Sequence, residues 1–565
     1  SISLEAGDEY QFDLKGSYSG VGTLSDTYLR LYNSAGTLVA YDDDSGAFYE
    51  SKLNYQAVSS GTYYLSAGAY SYYDIGTYLL TTSLIRSYGE IQPNDDISSS
   101  CWDGINEDND YVKGLQWGAK WGNNSNPNDN TTNLKYYIYD NESTLGNLNA
   151  LSVIPEEEEA YLDAIDAFSS VANLNFTKVD SDVNGHILFA GLNNFESYGA
   201  LGWAVPPDTS NYSSSNIGLT TQNQDYYISN GKVVDENILK PGSYYYITTI
   251  HELGHSIGLK HPHDEVNNNP LFPGVSNNVS SDLGDNGLNA QPYTVMTYND
   301  IAANDYMPSS ASYSGFLETL GAFDIAAVQY LYGANTSYST GNNTYYLDSN
   351  NLRGWRCIWD NGGTDTIDAL SSTESVSIDL RNASLENAIG GGGYISQVGA
   401  NSLGYTISFN STGNCQIENA TGSNFADSIQ GNSINNILKG EAGNDSISGD
   451  QGDDTLVGGL GNDSLIGGDG SDTASYSTSS SAVSINLLSS TYSGGDADGD
   501  TLTSIENITG SDFADILIGD SQNNTLTGRG GKDQLNGGDG LDTASYSTSS
   551  SAVSINLLSS TYSGG

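Results

Sequence analysis

His251, Glu252, His255 and His261 are the residues whose types and spacing could do hydrolytic chemistry. They stand in the segment His251-Glu-Leu-Gly-His255-Ser-Ile-Gly258-Leu-Lys-His261. On a helix, His251 and His255 lie one turn apart on one face, so both imidazoles can reach one cation. Ile250, Leu253 and Ile257 fall on another side and can anchor the helix in a core. Gly258 permits the left-handed backbone that ends a helix and turns the chain back. His261 then arrives as a third ligand. Three His ligands leave a position open for water, the mark of a catalytic rather than a structural zinc. Glu252 lies beside that position and can take a proton from the water. A chance helix with two His is the bland alternative. The glycine and the third His at the right offsets make the eleven-residue form far more specific than a five-residue match. The chain has 5 His, and four of them fall between 251 and 263.

A second segment, Tyr293-Thr-Val-Met296-Thr-Tyr298, places Met296 35 residues after His261. The two segments together resemble the metzincin zinc proteases, and Tyr298 narrows the resemblance to the serralysin family. The resemblance implies that Met296 forms the Met-turn beneath the zinc. It also implies that Tyr298 is a further, displaceable zinc ligand that can stabilise an oxyanion; an ordinary buried tyrosine is the alternative for Tyr298. Leu115-Gln-Trp-Gly-Ala-Lys-Trp121, Gly321-Ala-Phe-Asp-Ile-Ala-Ala-Val-Gln-Tyr-Leu-Tyr-Gly333 and Ile358-Trp-Asp-Asn-Gly-Gly-Thr-Asp-Thr-Ile-Asp368 also look like serralysin segments. The likeness covers about residues 100–475. By the same resemblance, Asp360, Gly362, Gly363, Asp365 and Glu418 form calcium sites where a C-terminal roll joins the catalytic part. Three features depart from the family: an additional N-terminal module, the presence of cysteine, and no visible C-terminal export signal.

From about residue 420 the chain repeats every nine residues, over 421–474 and again over 509–544. The unit follows Gly-Gly-x-Gly-x-Asp-x-apolar-x, the pattern of RTX calcium-binding repeats. Its glycines let backbone carbonyls turn inward, its Asp adds a hard carboxylate, and stacked turns hold cations between them. Asp445, Asp454, Asp463 and Asp472 are the ligand candidates of the first array, and Asp533 and Asp542 those of the second. The stretches 421–438 and 518–526 read as degraded copies with Asn in place of Asp. Residues 542–565 repeat 472–495 without change, an offset of 70 residues that implies a duplicated unit. Because the chain stops inside the second copy, the native protein is expected to continue. It starts at Ser1 without Met, so either a leader has been removed or an export signal lies elsewhere.

These groups need a scaffold. Residues 1–85 alternate short β-rich runs (27–32, 52–58, 62–66, 77–80) with Gly, Asn, Asp and Ser turns, the pattern of a small β-sandwich. Tyr41-Asp-Asp-Asp-Ser-Gly46 and Gly61-Thr-Tyr-Tyr-Leu65 resemble the pre-peptidase accessory domains of secreted bacterial proteases. Pro155 followed by four Glu is a strong helix start, and Tyr161, Leu162, Ile165, Phe168 and Val171 continue it at helical spacing. Strand-like runs follow at 174–179, 186–192, 201–205 and 216–220, then helical patterns at 244–258 and 319–332. The expected architecture is multidomain. A β-sandwich spans 1–85, an α+β metzincin domain 86–335, and a parallel β-roll of RTX repeats 336–565. The run 201–205 reads as an edge strand able to pair with an extended substrate.

Composition limits the partners. Lys+Arg number 17 against 69 Asp+Glu, a net charge of −52 that repels nucleic acid and anionic membranes. No apolar run approaches the length of a membrane-spanning helix. The 41 Tyr and 37% hydrophobic content argue against disorder. With 3 Cys (Cys101, Cys357, Cys415) at most one disulfide can form. Cys101 lacks the surroundings of an inhibitory pro-segment thiol, which leaves a structural or free thiol. The resulting expectation is a secreted, extracellular, monomeric zinc endopeptidase acting on proteins or peptides. It would hold one catalytic Zn²⁺ and several structural Ca²⁺. The alternative from another class is a calcium-dependent adhesion or surface-layer protein with a vestigial catalytic domain, which the intact Glu252 and ligand set disfavour.

Overall fold

The computed structural model describes residues 1–4, 9–17, 20–24, 26–42, 51–57, 59–69, 76–86, 93–94, 109–121, 131–139, 143–145, 148–180, 186–192, 202–207, 218–223, 228–229, 232–233, 237–266, 269–299, 315–348, 350–399, 403–548, 554–556 and 561–563. Cys101 lies outside them.

Alternating side chains build the N-terminal unit. Along Thr27–Tyr32 every second residue is buried, so one face must be covered. One antiparallel sheet runs in the order Ile2–Leu4, Gly61–Ala69, Thr27–Tyr32, Leu38–Asp42. A second runs Ser51–Gln56, Glu9–Lys15, Leu79–Arg86. Leu4, Leu29, Leu31 and Tyr63 of the first meet Phe12, Leu14 and Leu53 of the second in a small closed core. This is a β-sandwich.

The central part holds four α-helices among the described residues: α1 (Asp110–Gly114), α2 (Pro155–Val171), α3 (Tyr244–Ser256) and α4 (Ala322–Tyr332). In α2 the buried stripe is Glu157, Ala160, Tyr161, Ala164, Ile165, Phe168 and Val171. Leu162, expected on that stripe, is instead 42% exposed, because it sits about 100° around the helix from Tyr161. Strand Thr132–Ile138 pairs in parallel with Leu174–Lys178 and Ile187–Leu192, and the latter with Gly218–Asn223. Gly202–Val205 pairs antiparallel with Gly218–Asn223 and forms the sheet edge among the described residues.

In the C-terminal part, strands recur in parallel every 18 residues, two nonapeptides per turn of the roll. One nine-stranded sheet runs without a break from Thr344–Tyr346 to Thr543–Ser545, through both arrays. The facing side is divided into an eight-stranded and a four-stranded sheet. The division falls where residues 476–506 separate the arrays. The apolar position of each repeat points inward: Ile429, Leu438, Ile447, Leu456, Leu465, Ala474, Leu517 and Leu526 are all buried. At the far end the register is kept but the cover is lost, and Ala544 is exposed. A single hydrophobic cluster extends from Tyr111 to Leu526, so the roll and the central part share one core. No helix among the described residues is long and apolar enough to cross a membrane.

Candidate metal centre

Helix α3 is fixed at both ends before it presents any chemistry. Ser243 caps its start, accepting from Tyr246 N–H at 3.2 Å and donating to the Ile238 carbonyl at 2.7 Å. At the other end, Trp121 Nε1–H donates to Ser256 O and the Tyr332 hydroxyl to Ile257 O. Ile250, Leu253 and Ile257 are fully buried, as the helical spacing requires. Gly258 takes φ 107°, and a Cβ there would stand 2.4 Å from the Ala119 carbonyl oxygen. The chain turns back at this point, with Trp117 N–H donating to Gly258 O and Lys260 N–H to Leu115 O.

The turn brings three imidazoles together. The Nε2 atoms of His251, His255 and His261 lie 3.0, 3.1 and 3.2 Å apart. Four-coordinate zinc with bonds of about 2.0–2.1 Å separates its ligands by roughly 3.3 Å, so this spacing fits one cation. The hydrogen bonds behind the rings decide the tautomers. His251 Nδ1–H donates to Val295 O at 2.8 Å, His255 Nδ1–H to Leu259 O at 2.9 Å, and His261 Nδ1 faces Asp264 Oδ2 at 2.6 Å. Carbonyl and carboxylate oxygens can only accept, so each Nδ1 carries the proton and each Nε2 turns a lone pair to the common point. Burial pushes His251 and His255 down to about 3 and His261 to about 4, which keeps all three neutral at pH 7. Three converging lone pairs repel unless a cation lies between them.

Glu252 is buried next to His251, and burial pushes its carboxyl up to about 8. The Tyr298 hydroxyl is 2.8 Å from His261 Nε2, and its ring lies against His251, His261 and His263. Met296 is fully buried beneath α3. The three histidines expected from the sequence are thus brought together, with Glu252 buried beside His251 on the same helix and Tyr298 and Met296 at the margin.

Sequence reasoning missed four supporting residues. Asp264 orients His261. Lys260 is fully buried and donates to the carbonyls of His261, Asp264 and Pro270, pinning the loop that carries the third His. A Cβ on Gly254 would stand 2.7 Å from Met296 Sδ, so only glycine lets the methionine seat under the helix. Asp324 in α4 accepts from Thr294 Oγ1–H at 2.6 Å, Val295 N–H at 2.6 Å and Gly321 N–H at 2.9 Å, and so anchors the 293–298 turn. Asp264 alone carried a signal: a carboxylate three residues after a ligand His.

The roll offers a different donor set. Asp445, Asp454, Asp463 and Asp472 are buried, and each has an Oδ2 with no hydrogen-bond partner. Burial and neighbouring carboxylates raise Asp445 to about 7 and Asp454 to about 6. Buried, unpartnered carboxylate oxygens facing backbone carbonyls suit a hard cation such as calcium. At Asp533 and Asp542 the same position is less covered, because few turns follow them. The stretches expected to be degraded copies differ from one another. Asp427 in 421–429 keeps the carboxylate and uses it on Ser423 and Val376. Asn436 replaces the carboxylate with an amide, which accepts from Asn432 N–H and donates to Glu418 O. Asn524 does the same for Asp520 and Glu506. At the start of the roll, Asp365 Oδ2 is also unpartnered, and Glu418 Oε2 accepts from Asp365 N–H at 2.7 Å. Asp360 spends its oxygens on the Tyr345 hydroxyl and Gly362 N–H. Gly362 and Gly363 take φ 116° and 143°, conformations that favour glycine. Cys357 and Cys415 are buried free thiols.

Comparison with known proteins agrees with this geometry. Residues 421–456, 448–475 and 509–544 match the RTX calcium-binding nonapeptide repeat family. A serralysin of Proteus mirabilis is 31% identical over 290 residues, covering 44% of this chain and 55% of that protein. The chain is a relative of the serralysins. Metallopeptidase AprA of Pseudomonas marginalis is 30% identical over 268 residues, with 42% and 53% covered. Serralysin C of Dickeya chrysanthemi is 30% identical over 309 residues, with 48% and 59% covered. The chain thus spans little more than half the length of the serralysin-type relatives it matches.

Proposed function

We propose that this chain is a secreted, calcium-stabilised zinc endopeptidase that hydrolyses peptide bonds in extracellular proteins. The observation that carries the proposal is the convergence of three Nε2 lone pairs, each tautomer set from behind, beside a buried glutamate on the same helix. His251, His255 and His261 would hold the zinc, with Tyr298 as a displaceable neighbour. The bound ion would supply Lewis acidity towards the scissile carbonyl. Glu252 accepts a proton from the attacking water and passes it to the leaving amine. Its buried setting keeps competing water away and raises its basicity. Tyr298, at the rim and 2.8 Å from His261 Nε2 through its hydroxyl, donates to the oxygen on which negative charge develops. The antiparallel strand Gly202–Val205, which has no second neighbouring strand among the described residues, is an edge to which an extended peptide can add.

In the same reading residues 1–85 are an accessory sandwich, 86–335 the catalytic unit and 336–565 the roll, and the protein acts as a monomer. Asp445, Asp454, Asp463, Asp472, Asp533 and Asp542, with Asp365 and Glu418 at the junction, hold calcium at extracellular affinities of about 10⁻⁴–10⁻³ M. The test is Glu252→Ala in the full chain, assayed on casein with and without a zinc chelator. Zinc content should be unchanged while the rate falls by roughly two to four orders of magnitude. Near-normal proteolysis by this variant defeats the proposed mechanism.

A further inference from the structure

The matched nonapeptide repeats stop at residue 475 and resume at 509, and the segment between them belongs to no nonapeptide repeat. Its backbone nevertheless follows a pattern already used once in the chain. Near the start of the roll, Asp365 N–H donates to Glu418 Oε2 at 2.7 Å and Asn419 N–H donates to Asp365 O at 2.9 Å. Between the arrays, Asp472 N–H donates to Glu506 Oε2 at 3.0 Å and Asn507 N–H donates to Asp472 O at 2.8 Å. Val376 N–H donates to Asp427 Oδ1 at 2.7 Å, and Val483 N–H to Asp515 Oδ1 at 2.8 Å. The sequences agree as well: Ile417-Glu-Asn-Ala-Thr-Gly-Ser-Asn-Phe-Ala-Asp427 against Ile505-Glu-Asn-Ile-Thr-Gly-Ser-Asp-Phe-Ala-Asp515.

Asp472 is fully buried, and its Oδ2 has no hydrogen-bond partner. That oxygen and a carbonyl of the inter-array segment approach the same point. A Cβ built on Gly467 would stand 2.0 Å from Ser504 O and 2.5 Å from Asp472 Oδ2, so both oxygens crowd one point. One turn earlier, the corresponding point at Gly449 is shared by Asp454 Oδ2 and Gly467 O. Ser504 therefore supplies the carbonyl that a repeat glycine would supply, and its φ of 51° is a left-handed value rare outside glycine. The other side of the roll is closed differently. Asp500 Oδ1 accepts from Asp463 N–H, but its Oδ2 accepts from the Tyr476 hydroxyl at 3.0 Å.

We propose that residues 476–506 complete a calcium site between the two arrays, formed by the Asp472 carboxylate, the Ser504 carbonyl and the Glu506 carboxylate. The segment thus continues the cation ladder across the gap and couples the second array to the first. The site is independent of the zinc centre and of whether the chain cleaves peptides.

The experiment counts calcium on the full chain by isothermal titration, with Ca²⁺ itself as the probe. Glu506→Gln keeps an acceptor for Asp472 N–H but removes the charge. It is expected to bind one calcium fewer per chain, with the remaining affinities unchanged. The same number of calcium ions at the same affinity overturns the proposal. Should Glu506→Gln fail to fold in saturating calcium, Glu506→Asp replaces it, keeping the charge but drawing the carboxylate back by one methylene. One site is then expected to weaken at least tenfold, and unchanged affinity at every site overturns the proposal equally.

Discussion

Asp324 governs the metal centre from outside it, and its replacement tests that reasoning. Its carboxylate holds Val295 N–H, and the Val295 carbonyl accepts from His251 Nδ1–H, so one buried group sets the position of a ligand. Asp324→Ala leaves three buried donors without partners, at roughly 1–3 kcal/mol each. The same change removes a carboxyl whose burial pushes it up to about 7, and so relieves a burial cost of about 1.4 kcal/mol per pKa unit. These terms largely oppose one another, so the change in folding stability does not discriminate. Metal affinity does. Loss of the support behind a ligand is expected to weaken zinc binding roughly 10–100-fold. Asp324→Asn should stay within a few-fold of the unaltered chain. Its carboxamide oxygen can take the two backbone N–H groups while its NH₂ faces Thr294 Oγ1, which can accept. The assay is competition of the calcium-loaded full chain against a chelator of known zinc affinity. An alanine variant that binds zinc as tightly as the unaltered chain refutes the reasoning.

Zinc binding at pH 7 should release a proton from Glu252, which is pushed up to about 8 without a cation, and none from the neutral His ligands. Calorimetry in buffers of different ionisation enthalpy measures this, and Glu252→Gln should abolish the release. Tyr298→Phe should lower kcat by roughly 10² with a smaller change in KM, since its hydroxyl would act on developing charge; an unchanged kcat makes Tyr298 a packing residue. The calcium-free roll should lose stability as pH rises. Asp445 and Asp454 have folded-state values of about 7 and 6, above the unfolded value of about 3.9. The folded state therefore binds more protons, and the stability present below about pH 4 is lost as pH climbs through 6 to 7. Thermal unfolding at pH 4.5 and 7.5 (both about) reads this, and calcium should restore the midpoint at the higher pH.

The sequence by itself determined the spacing of the candidate site residues and the periodicities. His251, Glu252, His255 and His261 were legible because helical spacing and a helix-ending glycine are local properties, set by neighbours within a few residues. The nine-residue period and its buried apolar position were legible for the same reason, and so was the period-two alternation of the N-terminal strands. Only the tertiary structure decided which groups support the site. Asp324 is 73 residues from His251 in the chain, and no local pattern links a helix N-terminus to the tautomer of a distant imidazole. Lys260 reads as a surface charge until the fold buries it among three carbonyls. Gly254 looks like one more helical position until Met296 is seated beneath it. The role of 476–506 was hidden as well, because its Glu506 meets Asp472 across 34 residues that fall almost wholly outside the nonapeptide pattern. Local spacing announces the candidate ligands, whereas the groups that hold them in place are chosen by contacts that exist only once the chain has folded.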